Sequence, residues 1–211
     1  MKRAFDLTAA AIALVFLSPL FLLTALFLRA TSRGPAFYSG KRVGLLGKVF
    51  KMHKFRTMVV DAEQLGGSCT RADDPRITSS GHWLRKFKLD ELPQLLNVFL
   101  GEMSLVGPRP EVEEYVQLFT LEERAILSVR PGITDWASIW DRDEAQALAG
   151  NPDPERTYLE RIRPEKIRLQ LEYVRRRSFL TDLAILFETL KVLVLRRSIQ
   201  ETVQTSAPPE P

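Results

Sequence analysis

Between Leu7 and Leu28 the chain carries no charged residue. Those 22 residues, at a helical rise of about 1.5 Å each, reach about 33 Å and suffice to cross a hydrocarbon core of roughly 30 Å. A run of this kind must leave water, whatever the rest of the chain does. It is too long for the apolar region of a signal peptide, usually about 7 to 15 residues, and no small-x-small cleavage site follows it. Two features oppose an ordinary straight span. Ser18-Pro19 falls near the middle, where proline removes a backbone donor and clashes with the preceding turn. Basic residues flank both ends, Lys2 and Arg3 before, Arg29 and Arg33 after, and positive charge marks the cytoplasmic side. A helix that enters, turns at Ser18-Pro19 and leaves on the same side satisfies both features, whereas a straight span satisfies only the length. The residues alone leave both arrangements open.

The remainder is long enough for one domain with its own core, within a chain of 211 residues. The formal charge is +4, with acids and bases interspersed. That pattern suits an anionic membrane surface or phosphate ligands and argues against a nucleic-acid-binding tail. Cys69 is the only cysteine, so an internal disulfide is excluded. Residues 198–211, with the Pro-rich polar run Thr205 to Pro211, are expected to be disordered.

The densest chemistry lies in Leu84-Arg85-Lys86-Phe87-Lys88-Leu89-Asp90-Glu91-Leu92-Pro93-Gln94-Leu95-Leu96-Asn97. It reads as a helix start, with Pro93 compatible with a first turn and Leu92, Leu96 and Phe99 at helical spacing. Acids in a first turn are favourable in themselves, by roughly 0.3 to 1 kcal/mol through the helix dipole, so Asp90 and Glu91 admit a purely capping reading. Their neighbours point further. Arg85, Lys86 and Lys88 precede the pair, and Arg109 follows in the stiff loop Gly107-Pro108-Arg109-Pro110. Cations on both sides suggest an anion site, and carboxylates inside an anion site require a cation or a reaction.

Elsewhere, Gly34 to Arg56 alternates apolar with basic residues around glycines, the pattern of a β-hairpin. Asp74 reads as a turn acid or a ligand, and Arg76 as a candidate for phosphate or nucleotide. His53 and His82 are isolated and lack metal-ligand spacing. Glu111 to Arg124 is expected to be one charged amphipathic helix, and Pro154 to Arg177 a basic one. Phe179 to Leu195 is apolar but interrupted by Asp182, Glu188 and Lys191, which argues against a second span and for an interfacial or core-packed helix. Arg175, Arg176 and Arg177 are placed to meet lipid headgroups.

Three segments, Leu89-Asp90-Glu91-Leu92-Pro93-Gln94, Asn97-Val98-Phe99-Leu100-Gly101-Glu102-Met103-Ser104 and Val106-Gly107-Pro108-Arg109-Pro110, resemble the bacterial sugar transferases known as monotopic phosphoglycosyl transferases. Lys2-Arg3-Ala4-Phe5-Asp6, Ser18-Pro19-Leu20, Lys54-Phe55-Arg56-Thr57-Met58, Asp74-Pro75-Arg76-Ile77-Thr78 and Arg130-Pro131-Gly132-Ile133-Thr134 extend the likeness over nearly the whole chain. The resemblance implies transfer of a phospho-sugar from a UDP-sugar to undecaprenyl phosphate with release of UMP, dependent on Mg2+. It implies Asp90 as nucleophile and Glu91 as its partner in Mg2+ binding or proton handling. Arg85 and Arg109 are the candidate phosphate clamps, with Arg76, Lys54 and Arg56 further candidates for phosphate or nucleotide. Ser18 and Pro19 would mark a re-entrant membrane helix.

The resulting fold expectation is a mainly α protein with a small β-hairpin: a monotopic membrane protein with an N-terminal re-entrant, Ser-Pro-broken helix (1–33) and a catalytic domain (34–197) carrying interfacial amphipathic helices. Its expected place is the cytoplasmic face of the bacterial inner membrane, among that membrane's lipids, with no nucleic-acid partner and no oligomeric state implied. Two positions depart from the family pattern: Gly40 stands where glutamine is usual, and Asp135 where glycine is usual. Two rival functions fit the same composition, a membrane-anchored scaffold without catalysis and a glycosyltransferase that releases UDP.

Overall fold

The computed structural model describes residues 1–67 and 69–195. Ser68 and the segment 196–211, which includes the tail expected to be disordered, lie outside the described residues. The expected mainly helical fold with one small antiparallel hairpin is what the chain forms. Helix α1 spans Lys2–Thr31 and leads into the hairpin of β1 (Phe37–Val43) and β2 (Val49–Phe55), with Phe37 opposite Phe55 and Val43 opposite Val49. A loop then reaches α2 (Ser79–Lys86), a single 3-10 turn Leu89–Glu91 and α3 (Gln94–Leu100). Strand β3 (Ser104–Val106), α4 (Glu113–Gln117) and β4 (Gly132–Thr134) follow. The chain closes with α5 (Trp136–Trp140), α6 (Glu144–Ala147), α7 (Pro154–Thr157), α8 (Arg163–Arg176) and α9 (Phe179–Leu195).

Pro19 lies inside α1, and the helix continues through it. The backbone bond that proline forfeits is replaced by its neighbour. Ser18 donates its hydroxyl to the Val15 carbonyl at 2.8 Å, the acceptor that a residue-19 amide would have used. Along its whole length one stripe of α1 is covered. Ala10, Ala13, Leu14 and Leu17 pack with Met52, Leu95, Val98 and Met103, and Phe21, Ala25 and Leu28 pack with Ala36, Phe55, Leu84 and Leu89. These positions recur every three or four residues, as one helix face must. The rest of the helix surface exposes Ile12, Val15, Phe16, Leu22, Leu23 and Leu26.

Both ends of α1 are fastened to the same fold. Near Met1, Lys2 pairs with Asp182 at 2.5 Å and donates to the Val106 carbonyl at 3.0 Å. Arg3 donates to the Val98 and Phe99 carbonyls, and Asp6 accepts from the Ser104 hydroxyl at 2.7 Å. At the far end Arg56 donates to the Ser32 hydroxyl at 2.7 Å. Asp182 therefore explains itself: it is the counter-charge for Lys2 on an otherwise apolar helix, with the Tyr173 hydroxyl donating to its other oxygen at 2.8 Å.

The chain makes a second sheet that the sequence pattern did not reveal, because each strand is only three residues long. β3 and β4 pair in parallel, Ser104 opposite Gly132 and Val106 opposite Thr134. Their continuation brings two glycine motifs into backbone contact. A Cβ on Gly132 would lie 2.1 Å from the Gly107 nitrogen, and one on Gly107 would lie 2.5 Å from the Arg130 carbonyl. Only glycine permits that approach.

Glu111 to Arg124 does not form one helix. After α4, the Thr120 hydroxyl accepts from the Glu123 amide at 3.2 Å and the Glu123 carboxylate accepts from the Thr120 amide at 2.9 Å. This reciprocal cap starts a new 3-10 segment, Glu123–Ser128. Between α7 and α8 a widened, π-type turn spans Tyr158–Ile162, just ahead of Pro164, which has no amide to continue the ladder.

Candidate active site

Asp90 and Glu91 sit on the 3-10 turn between α2 and α3. The turn begins because Lys88 takes a left-handed conformation, φ 55°, which ends α2 and costs a non-glycine residue about 1–2 kcal/mol. Leu89, adjacent to the dyad, packs against the Phe21, Ala25 and Leu28 cluster. The chain thus places Asp90 one residue from the apolar helix.

The two carboxylates have different surroundings. Glu91 receives a two-pronged grip from Arg109: Nη1 donates to Oε2 at 3.0 Å and Nη2 to Oε1. Lys54 donates to Oε1 as well, at 3.2 Å. Burial alone would raise the Glu91 carboxyl, but Arg109 and Lys54 outweigh it and hold it well below the usual carboxylate range. Asp90 is buried, and among the described residues its Oδ1 has no hydrogen-bond partner. Burial first, and the Glu91 charge second, raise its carboxyl against the pull of Lys54, Arg85 and Lys88. A buried carboxylate oxygen without a partner is costly, so it marks a place where a ligand or reacting atom belongs.

The cations come from separate elements. Lys54 is on β2, opposite Tyr38. Arg109 is held by the Gly107–Gly132 approach, reinforced by the Gly132 amide donating to the Pro108 carbonyl at 2.9 Å. Arg85 donates through Nε to the Thr57 hydroxyl at 2.9 Å, which leaves its terminal nitrogens without a protein hydrogen bond among the described residues. Burial lowers its guanidinium, while Asp90 is the first charge to raise it again. Lys54 and Arg109 therefore meet Glu91, and Arg85 lies near Asp90.

Arg56 and Arg76 are engaged elsewhere. Arg56 ties down the end of α1 through Ser32. Arg76 is consumed by Asp74, with Nη2 to Oδ2 at 2.7 Å and Nε to Oδ1 at 3.0 Å, and by the carbonyls of Ala62 and Gly67. Both brace backbone. The two departures from the family pattern also resolve locally. A Cβ at Gly40 would lie 2.6 Å from the Tyr38 hydroxyl, so the Tyr38 ring occupies the space a side chain there would need. Asp135 caps α5, its Oδ1 accepting from the Ser138 amide at 2.6 Å, a cap worth about 1 kcal/mol.

Sequence reasoning missed Arg42 and Lys166. Arg42 lies on the same face of the hairpin as Lys54, two alternations along, and its Nη1 donates to the Lys41 carbonyl at 2.8 Å. Its period-two relation to Tyr38 and Gly40 was the available signal. Lys166 is buried on the stripe Tyr158, Ile162, Lys166, Gln170, Tyr173; a lysine on the apolar face of a basic helix was the signal there. Its ammonium lies 3.0 Å from Glu144, 3.2 Å from Asp141 and 3.7 Å from Glu111. Together with Lys54 and Arg109, Arg42 and Lys166 wall a cavity of about 130 Å³.

This geometry can be set beside known proteins. The family model described as "Bacterial sugar transferase" matches residues 1–196. The chain belongs to the bacterial sugar transferase family. It is 38% identical over 207 residues to the uncharacterized sugar transferase EpsL of Bacillus subtilis (strain 168), covering 98% of this chain and 94% of that protein. It is 37% identical over 198 residues to the UDP-glucose:undecaprenyl-phosphate glucose-1-phosphate transferase of Escherichia coli (strain K12), covering 90% of this chain and 39% of that one. It is 36% identical over 197 residues to the UDP-N-acetylgalactosamine-undecaprenyl-phosphate N-acetylgalactosaminephosphotransferase of Aeromonas hydrophila, covering 92% of this chain and 44% of that one. The chain thus spans nearly all of EpsL and less than half of the other two. Since two relatives of almost equal identity carry different sugars in their names, overall similarity does not set the sugar.

Proposed function

We propose that this sugar transferase moves a sugar-phosphate group from a UDP-sugar to undecaprenyl phosphate, releasing UMP. The observation that carries the reading is the Asp90 carboxylate: buried, with an unpartnered oxygen among the described residues, near Lys54, Arg85 and Lys88, next to the Glu91–Arg109 pair and one residue from the contact with the apolar helix. The reaction joins two anions, and their repulsion is a large part of its barrier. A cationic setting lowers that barrier, and an ionised carboxylate within it divides one hard displacement into two easier ones.

In the first step an Asp90 oxygen bonds to the sugar-bearing phosphorus of the donor, and the bond from that phosphorus to the UMP oxygen breaks. UMP leaves with the electron pair. In the second step an oxygen of the lipid phosphate bonds to the same phosphorus and the Asp90 acyl-phosphate bond breaks, regenerating the carboxylate. Atoms and charge balance without an oxidant. Glu91 acts as the counter-charge that orients Arg109 and Lys54, since both its oxygens are occupied by them. Arg85, with terminal nitrogens to spare, and Arg42, whose guanidinium is engaged by the Lys41 carbonyl through Nη1, receive donor phosphate.

Mg2+ fits this donor set. It takes hard oxygen ligands and needs only one or two carboxylates beside substrate phosphates, and the open Asp90 oxygen supplies one. When bound it would neutralise charge developing between the phosphates. Among the described residues no group of three His, Cys, Asp or Glu side chains is arranged to hold a metal ion.

The contacts of α1 support a one-sided membrane arrangement. Lys2, Arg3 and Asp6 at one end and Ser32 at the other grip one fold, which favours both ends on the cytoplasmic side. The helix lies in the near leaflet with its covered stripe on the catalytic domain. Exposed Phe179, Leu180, Leu183, Phe187 and Leu190 of α9 and Trp83, Phe87, Phe99 and Leu100 around the dyad extend the lipid-facing surface. A polyprenyl phosphate held in that leaflet meets Asp90 without leaving the bilayer.

The test is a UMP-release screen across UDP-sugars with undecaprenyl phosphate and Mg2+. UMP formation with a lipid diphosphate sugar is expected. UDP as the product would instead make this a glycosyltransferase, and no turnover with any donor would favour a scaffold.

A further inference from the structure

The cavity beside Arg42, Lys54 and Arg109 runs on past the cations that receive the donor phosphate, and its inner wall has no part in the chemistry described above. Lys54 and Arg109 also bind Glu91, so the cavity begins one side chain away from the dyad. Its polar wall includes Glu111 and Glu144, two carboxylates that would repel a second phosphate. The same wall is closed to a stacking base: Tyr158 packs on Tyr115 at 5.1 Å and has Lys166 over its ring at 4.9 Å. Cations at the dyad and acceptors further in call for a ligand that is anionic at one end and rich in hydroxyls at the other.

We propose that this cavity holds the sugar of the donor and that Glu111 and Glu144 read its hydroxyl groups. The proposal rests on the transferase reading and deepens it. Lys166 fixes both carboxylates, at 3.7 Å and 3.0 Å, and the Tyr158 hydroxyl donates to Glu111 at 3.0 Å. The acceptors are therefore positioned before a sugar arrives, with lone pairs left for it. A hydroxyl bonded to a carboxylate contributes about 1.5–3 kcal/mol, which corresponds to a discrimination of roughly 10- to 100-fold between donors that differ at that hydroxyl. Val112 also lines the cavity, packed with Tyr115 and Tyr158, and supplies an uncharged wall whose bulk can be changed.

The experiment uses the full-length enzyme with UDP-glucose, UDP-galactose and their N-acetylhexosamine counterparts, and compares wild type with Glu111→Gln, Glu144→Gln and Val112→Phe. Readouts are the ratios of kcat/KM between donors and the inhibition constant of UMP, which lacks the transferred sugar. At least one carboxamide variant is expected to change the ratio between the best donor and its epimer by about ten-fold or more, with UMP inhibition within about two-fold of wild type. Val112→Phe should penalise N-acetylated donors most, and it serves if the carboxamide variants unfold. Unchanged donor ratios in all soluble variants overturn the pocket assignment, as does a loss of UMP binding that matches the loss of turnover. A wild type that releases no UMP from any donor overturns the transferase reading, and the sugar pocket with it.

Discussion

The dyad residues are adjacent in sequence but should respond to neutralisation in opposite ways. Glu91→Gln leaves Arg109 and Lys54 together without their shared counter-charge. Breaking a buried pair in this way costs about 3–5 kcal/mol. Here the side chains keep 17% exposure at Glu91, 24% at Arg109 and 21% at Lys54. Burial also already lowers the Lys54 ammonium, so it can shed a proton when Glu91 is lost. Both effects reduce the cost to about 2–3 kcal/mol, or roughly 5–10 °C in unfolding temperature for a chain of this size. Asp90→Asn removes a buried charge that has no partner at Oδ1 and is disfavoured by Glu91, so its unfolding temperature should stay within about 2 °C of wild type or rise. Both variants should lose UMP release. Thermal unfolding in nanodiscs, with turnover measured on the same samples, reads the two effects separately. If Asp90→Asn destabilises as much as Glu91→Gln, or keeps most of its activity, the division of labour argued here is wrong.

Incubating the enzyme with UDP-sugar and no lipid should add one phospho-sugar mass to a peptide containing Asp90, whereas UMP release that strictly requires both substrates, with no adduct, would establish direct transfer. A cysteine placed beside Met1 should resist a periplasm-restricted thiol reagent, because Lys2, Arg3 and Asp6 are fastened to the catalytic domain; strong labelling would restore a spanning anchor. Ser18→Ala withdraws the donor that satisfies the Val15 carbonyl, and a loss of about 1 kcal/mol is expected, while the double change Ser18→Ala with Pro19→Ala restores the backbone amide and should recover it. Asp141 is pushed up to about 9, first by burial and then by Glu144, so the folded state holds a proton that the unfolded state has released. Stability should therefore fall as pH rises from about 5 towards 9, by at most about 1.4 kcal/mol per unit, and Asp141→Asn should flatten that slope.

Much of the site was legible because its residues are local in sequence. Asp90, Glu91 and Arg85 lie within seven positions, and Arg109 is marked by the prolines on either side of it. The apolar run, the hairpin and the helical character of the basic segment from Pro154 follow from composition and periodicity, which act over one turn or one strand and leave their trace in the linear order. Other features depended on partners far along the chain. Arg56 and Arg76 carry the same charge as Arg109, and only the folded chain commits them to Ser32 and Asp74 while Arg109 goes to Glu91. The length and charge of α1 were evident, but its arrangement depends on contacts about a hundred residues away, from Arg3 to Val98 and from Asp6 to Ser104. The polar cavity joins β1, the loop after Pro110, α6 and α8. Hydrophobic periodicity carries no information about which buried charges will meet, because that pairing is settled by packing, where an uncompensated charge is too costly to leave alone.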